Sequence, residues 1–495
     1  MTNLPSFEEI HVISDIHMGG KRGFQTLCQT ERLANFIRWV AAQNPEKQVA
    51  LILNGDVFDT LAEEDVIGYV AVSEAETVLN RIMNDDSFKP VWDALSAFVK
   101  TPNRTLVMVI GNHDIELAFP NIQRLIVEKL TLGDALAKSR IEFSASGAGY
   151  GCMVGKSRVF CTHGNEVDGW NINRYEGLSR VARRLNAGLT LNKEEWIPNA
   201  GTRMVKEVMN EVKKKYAWID LLKPEGEPLF GTLLALDPSQ IGKIGKIAEL
   251  FAKMKYEEVT QVDQRLAIGP EQVLATPSDQ PPSLDSLLGP NVLASMKSAG
   301  ASLDQSGDEI LLRLEQNRSL PAQTQFSADA PLGVGQYVWD RLTGWIRGVS
   351  QDEALRSALL DWIKDDKTFD PDKKDKDYQN ITAKLGHDID FVVTGHTHLA
   401  RAINMGAGRF YFNSGTWIRL IGFTNDMLKD KASFKPFYDA LMKGDMPAID
   451  AAGLVMDKTC AVSIKQENGR TIGYLKQVTG DGTAEPAVLR SYPEV

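Results

Sequence analysis

A chain of 495 residues exceeds one ordinary domain and can bury a sizeable core. With 43% hydrophobic and 24% charged residues it has the make-up of a globular protein, and its net charge of −10 excludes a field that would draw it, regardless of sequence, onto nucleic acid or an anionic membrane. Four cysteines with no CxxC pair exclude a disulfide scaffold and favour a reducing, cytoplasmic compartment, while the N-terminus shows no signal-peptide pattern and no run of about 18 apolar residues predicts a spanning helix.

Short apolar runs that end abruptly in polar residues predict buried strands. The first is Ile10–Ser14, followed by DIH. An amphipathic helix carrying Leu33, Phe36, Ile37 and Val40 comes next, then a strand at Val49–Leu53 that runs into NGDVFD. A second helix places Val91, Trp92, Leu95, Phe98 and Val99 on one face, ahead of a strand at Thr105–Ile110 and GNHD. Arg158–Thr162 precedes HGN. From about 170 to about 380 strand-like runs vanish. Helical spacing dominates there, as in Val205, Val208, Met209 and Val212, in Ile244 to Met254, and in Leu355, Leu359, Leu360 and Ile363. Within that stretch 265–335 is rich in Pro, Gly, Ser, Asp and Gln and reads as a loop-rich linker. Strands resume at Phe391–Thr394, before GHTH, and at Arg409–Phe412, before NSGTW. Cys460–Gln466 and Thr471–Gln477 flank Asn468–Gly469, a hairpin signal. Strand–helix alternation predicts an α/β sandwich. It is split into 1–170 and 381–495 by a mostly helical insertion at 171–380.

Five of the seven histidines, His17, His113, His163, His396 and His398, sit just past a predicted strand end. Ligands gather at the carboxyl ends of strands in open α/β sheets, so these residues should converge at one edge. Imidazole, carboxylate and amide oxygen suit two divalent ions such as Mn, Fe, Zn or Ni, and no thiolate lies in the motifs. Asp15 and His17, two apart on an extended chain, can point to the same side. Asp56 can bridge two cations, and two ions about 3.5–4 Å apart can hold a hydroxide and clamp phosphoryl oxygens. His113 then remains as the acid for a leaving alkoxide, with Asp59 to orient its ring.

DIH, GDVFD, GNHD, THG and GHTH, in this order, resemble the five blocks of the calcineurin-like metallophosphoesterases, over about 1–175 and 385–425. The resemblance implies the two-sheet metallophosphoesterase sandwich. It implies Asp15, His17, Asp56 and His398 around one metal and Asp56, Asn112, His163 and His396 around the other, with His113 catalytic and Asp59 its partner. HGNEVDGWN is also similar to a block of bacterial UDP-diacylglucosamine pyrophosphatases. Asn165 departs from that block's usual Asp, and the insertion is far longer than in those enzymes.

These readings predict a dinuclear metal-dependent phosphoesterase, with a diester or pyrophosphate substrate favoured because a long insertion could cover an extended molecule. The alternatives are a nuclease acting on DNA or RNA and a catalytically weak partner-binding module. Asn165, Asp168, Arg174, Arg401 and Arg419 lie near the blocks as candidate substrate contacts, each explained at least as well by a surface salt bridge or a loop hydrogen bond. Plainer roles are expected elsewhere: structural or solvated positions for His11 and His387, core positions for Cys161 and Trp417, a solvated helix face for Lys213–Lys215, a solvated loop for 370–377, and helix packing for Trp339, Trp345 and Trp362.

Overall fold

The computed structural model describes residues 4–63, 72–189, 198–223, 228–240, 349–363 and 368–494, with positions 243 and 291. The loop-rich stretch 265–335, the helix expected at 244–254 and the side chains of Trp339, Trp345 and Trp362 lie outside them. The strands are β1 (Ser6–Phe7), β2 (Glu9–Ile13), β3 (Val49–Asn54), β4 (Arg104–Val109), β5 (Ile141–Ser144), β6 (Tyr150–Val154), β7 (Ser157–Cys161), β8 (Phe391–Thr394), β9 (Arg401–Gly406), β10 (Arg409–Asn413), β11 (Leu420–Ile421), β12 (Val455–Met456), β13 (Cys460–Glu467), β14 (Arg470–Gln477) and β15 (Ala487–Tyr492). Seven form one sheet, in the order β15-β14-β13-β2-β3-β4-β5, with β2 to β5 parallel. Six form the other, in the order β1-β6-β7-β8-β10-β9.

β2 and β3 are buried at every position, as the apolar run of β3 requires when both faces of a parallel sheet are covered; β2 also carries Glu9 and His11, which pair with each other at 3.0 Å. Alternate residues go to opposite sides. Ile10, Val12, Ala50, Ile52, Val107 and Val109 meet Cys152, Val159, Cys161, Phe391, Val393 and Phe412 of the second sheet, and this layer makes the chain a two-sheet sandwich. Ile13, Leu51, Leu53, Leu106 and Met108 face the other way, onto helices α1 (Thr30–Ala42), α2 (Val72–Met83), α3 (Lys89–Lys100) and α4 (Pro120–Thr131). The predicted faces of α1 and α3 are the buried ones. The helix Lys376–Thr382 covers the outside of the second sheet, with Tyr378 and Ile381 against Val392, Ile403 and Tyr411.

The chain falls into two compact units. The first holds residues 1–202, 367–420 and 455–495; the second holds 203–366 and 421–454. The first unit thus extends beyond the strand-poor boundary at 170. The helix Tyr175–Asn186 buries Tyr175, Leu178 and Val181 in the same core as α1 and α3. Every described element between 171 and 380 is helical. In the second unit the Trp218 indole is buried and its Nε1 donates to the Leu441 carbonyl at 2.8 Å.

Two solvated runs need correcting. Lys213 is buried and ion-paired with Asp220, so only Lys214 and Lys215 form an exposed face. In the 370–377 run, Asp375 caps the helix Lys376–Thr382 through the Tyr378 N–H and pairs with buried Arg401 at 2.9 Å.

Candidate metal centre

The five motif turns lie past the carboxyl ends of β2, β3, β4, β7 and β8, and the tertiary fold brings their side chains to one edge. Ligand atoms of Asp15, His17 and His398 lie within 4.8 Å of one another, as do those of Asp15, Asp56 and His163, and those of His17, Asp56 and His113. Asp56 sits at the middle of the cluster. Its Oδ2 is 3.0 Å from His163 Nε2 and 3.8 Å from His17 Nε2. All of these residues are buried.

The backbone pays a conformational cost to build this edge. Among the described residues ten non-glycine positions have positive φ, and five of them are Asp15 (54°), His17 (53°), Asp56 (52°), His396 (70°) and His398 (61°). Left-handed backbone costs about 1–3 kcal/mol per residue and persists where the surroundings over-determine it. Neighbouring glycines leave the room: a Cβ at Gly111 would strike Asp56, and one at Gly55, itself at φ 89°, would strike the His163 ring.

Six buried polar atoms of the motif turns make no hydrogen bond: Asn54 Oδ1 and Asn165 Oδ1, and four others, Asp15 Oδ1, His17 Nε2, Asn112 Oδ1 and His163 Nε2. Such atoms are costly unless something meets them, and the last four belong to predicted metal ligands. Burial pushes the Asp15 carboxyl up. At Asp56 burial also opposes ionisation, but His163 and His113 hold its carboxyl far below the usual range. Burial pushes the His163 ring down, yet Asp56 and Asp15 outweigh it and bring it up to about 10. Two neighbouring buried carboxylates need positive charge, and a cation would supply it while leaving the imidazoles neutral. The residues present therefore fit divalent metal in both donor type and burial.

The partners of the rings decide which nitrogen is available. His163 Nδ1 is 2.8 Å from the Asn54 carbonyl, which only accepts, so Nδ1 carries a proton in either charge state, and the neutral ring that a cation would leave has its lone pair on Nε2. His113 Nδ1 lies 3.1 Å from Asp59 Oδ1, the pairing the sequence suggested, and its backbone N–H donates to Asp56 Oδ1 at 2.8 Å. The Asp59 carboxyl is buried, but His113 and His17 hold it well below the ordinary carboxylate range. His396 stands apart from the three clusters, with Nε2 3.0 Å from Asp168 Oδ2.

The candidate substrate contacts are placed differently from one another. Asp168 Oδ2 also accepts from the Asn171 amide at 2.7 Å, and its Oδ1 accepts from the Trp170 N–H at 2.9 Å. Asn165 is fully buried and donates to the Asn171 carbonyl at 3.0 Å. Arg174 is half-buried, at the N-cap of the helix Tyr175–Asn186. Arg401 is buried and spent on Asp375 and on the carbonyls of Thr368, Asp370 and Ala400. Trp417 packs on Phe36, ring centroids 5.4 Å apart, and Cys161 is buried in β7. His11 is buried between Ser463 (2.8 Å) and Glu9 (3.0 Å).

Three further residues hold the motif turns, and only one had a signal in the motifs. Asp114, the last residue of GNHD, accepts from the Gly111 and Val57 N–H groups, both at 2.7 Å, and so locks the second and third turns together. The Thr60 hydroxyl reaches the His113 carbonyl at 3.0 Å, and the Asn173 amide donates to the Gly111 carbonyl at 2.8 Å. Both bonds depend on chain crossings that spacing does not reveal.

A search of curated proteins finds no match to this chain. Residues 9–227 match the family model described as calcineurin-like phosphoesterase; His396 and His398 lie beyond the matched residues. Residues 9–227 are thus similar to the calcineurin-like phosphoesterases, a family whose members hydrolyse phosphoesters with the help of metal.

Proposed function

We propose that this protein hydrolyses a phosphodiester or pyrophosphate at a dinuclear metal centre. Asp15, His17, Asp56 and His398 would hold one ion, and Asp56, Asn112, His163 and His396 the other. The observation that carries this reading is the set of four buried atoms without hydrogen bonds on Asp15, His17, Asn112 and His163, with ligand atoms of Asp15, His17 and His163 lying within 4.8 Å of one on Asp56. When bound, two such ions would supply Lewis acidity that activates water and polarises the phosphoryl oxygens.

The chain's own groups would do the rest. Asp59 holds His113 by Nδ1, which turns the other ring nitrogen into the one that can hand a proton to the leaving oxygen. Asp168, through its contact with Nε2, orients His396. Arg174 and Asn165 remain candidates for substrate contact. The helical insertion would favour extended substrates over simple monoesters. Four unpaired cysteines support a cytoplasmic setting. Among the described residues no helix is long and apolar enough to cross a membrane.

The test is an activity screen of protein reconstituted with Mn, Fe, Zn or Ni. It should span mono-, di- and pyrophosphate esters, nucleotides, and single- and double-stranded nucleic acid. Turnover of small diesters or pyrophosphates above monoesters is expected. Turnover of nucleic acid alone would replace this reading with a nuclease, and no turnover with any ion would leave a binding module.

A further inference from the structure

Thr416 lies in the turn after β10 and is wholly buried. Its hydroxyl has three polar neighbours. The Asp15 carbonyl oxygen is at 3.0 Å, His398 Nδ1 at 3.0 Å and the Ile418 backbone nitrogen at 3.2 Å. A hydroxyl has one proton and two lone pairs. The carbonyl can only accept, so the proton goes to Asp15. The Ile418 N–H can only donate, so it takes one lone pair. The remaining lone pair faces His398 Nδ1, which must therefore carry the ring proton. The His398 lone pair is then on Nε2, the nitrogen that lies 3.4 Å from Asp15 Oδ1.

We propose that Thr416 is a positioning residue that sets the His398 tautomer and so presents Nε2, together with Asp15 and His17, to one metal ion. One hydroxyl thereby anchors two ligands of the same ion: Asp15 through its backbone and His398 through its ring. The two histidines of the GHTH turn use opposite nitrogens. His396 gives Nε2 to the Asp168 carboxylate, an acceptor, and keeps its lone pair on Nδ1. Partners behind the ligands fix ring orientation and tautomer in this way, and their loss weakens metal affinity by roughly 10–100-fold. The proposal rests on the metal reading of the site.

The experiment uses the full chain, stripped of metal, as parent, Thr416→Val and Thr416→Ser. Each is titrated calorimetrically with Zn²⁺, and the imidazole ¹⁵N spectrum of the stripped parent is recorded at roughly pH 8, where an unperturbed ring is neutral; His398→Gln identifies the His398 signals. Thr416→Val should bind one ion as the parent does and the other roughly 10–100-fold more weakly. Thr416→Ser, which keeps the hydroxyl, should restore parent affinity, and His398 should appear as the Nδ1–H tautomer. Parent-like binding of both ions by Thr416→Val, or an Nε2–H tautomer at His398, would overturn this inference alone. A parent that binds no ion would overturn the metal reading beneath it. Should Thr416→Val not fold, the parent spectrum still decides the tautomer.

Discussion

Replacing His113 by alanine separates the two roles open to this ring. Its ligand atom lies within 4.8 Å of those of His17 and Asp56, so geometry alone would let it bind metal. Its hydrogen bonds argue for an acid instead. Nδ1 is committed to Asp59 at 3.1 Å, and the link to the Asp56 carboxylate is made by the His113 backbone N–H, at 2.8 Å to Asp56 Oδ1. Alanine keeps that N–H, so the cage should survive. The ring is buried only at the site edge, 9% exposed, so water can fill the space it leaves. His113→Ala should therefore fold and retain both ions. A positioned acid contributes about 10²–10⁴ in rate, or about 2.7–5.4 kcal/mol at 1.36 kcal/mol per tenfold. That loss should appear with alkyl esters, whose leaving oxygen needs a proton, and shrink with nitrophenyl esters, which need little. Asp59→Asn, which keeps the size but loses the charge that orients the ring, should show the same leaving-group pattern in weaker form. The assay is metal content by elemental analysis with kcat on one good and one poor leaving group. Loss of metal from His113→Ala, or equal damage on both substrates, would refute the acid role.

Three other outcomes are expected. The parent should carry close to two ions per chain, and Asp56→Ala should lose metal and activity together on every substrate; elemental analysis that finds Asp56→Ala fully loaded would remove Asp56 as the bridge. Arg401→Ala should lower stability by about 3–5 kcal/mol, the cost of breaking a buried ion pair, with metal content unchanged; a near-parent melting temperature with a raised KM would return Arg401 to the substrate. At Glu9 burial opposes ionisation, but the His11 ring, the Asn44 amide and Lys465 outweigh it and hold the carboxyl at about 2, below its ordinary 4.5. The unfolded chain then binds more protons between these values, so this stabilisation is full above 4.5 and lost as pH falls through 2; the stability-against-pH slope in that window should flatten in Glu9→Gln, and an unchanged slope would count against the pairing.

Strands whose two faces are both buried announce themselves. β2, β3, β4 and β8 fall within a residue of their expected positions, because covering both faces leaves largely apolar runs, interrupted in β2 by His11. The hairpin of β13 and β14 was equally legible from Asn468–Gly469, where both residues have positive φ. β5, half-buried throughout, β9, whose last three residues are not buried, and β15, exposed along much of its length, had no such pattern and were not foreseen. The helix Tyr175–Asn186 was assigned to the insertion by its place after the HGN block, yet its buried face belongs to the first core. No motif marks residues 421–454 as companions of 203–366 either, since that grouping follows from contacts distant in sequence.

The sequence by itself determined the chemistry of the site: which residue types follow which strand ends, in which order, and hence that carboxylates and imidazoles would meet. That much is local, because a strand end and its turn are set by a handful of neighbouring residues. Only the tertiary structure decided how those groups are charged, oriented and paired. Asp59 reaches His113 across 54 residues, Asp168 reaches His396 across 228, and the Thr416 hydroxyl reaches Asp15 across 401. Each pairing depends on a distance of about 3 Å and on a count of protons and lone pairs, and neither is defined until the chain has closed on itself.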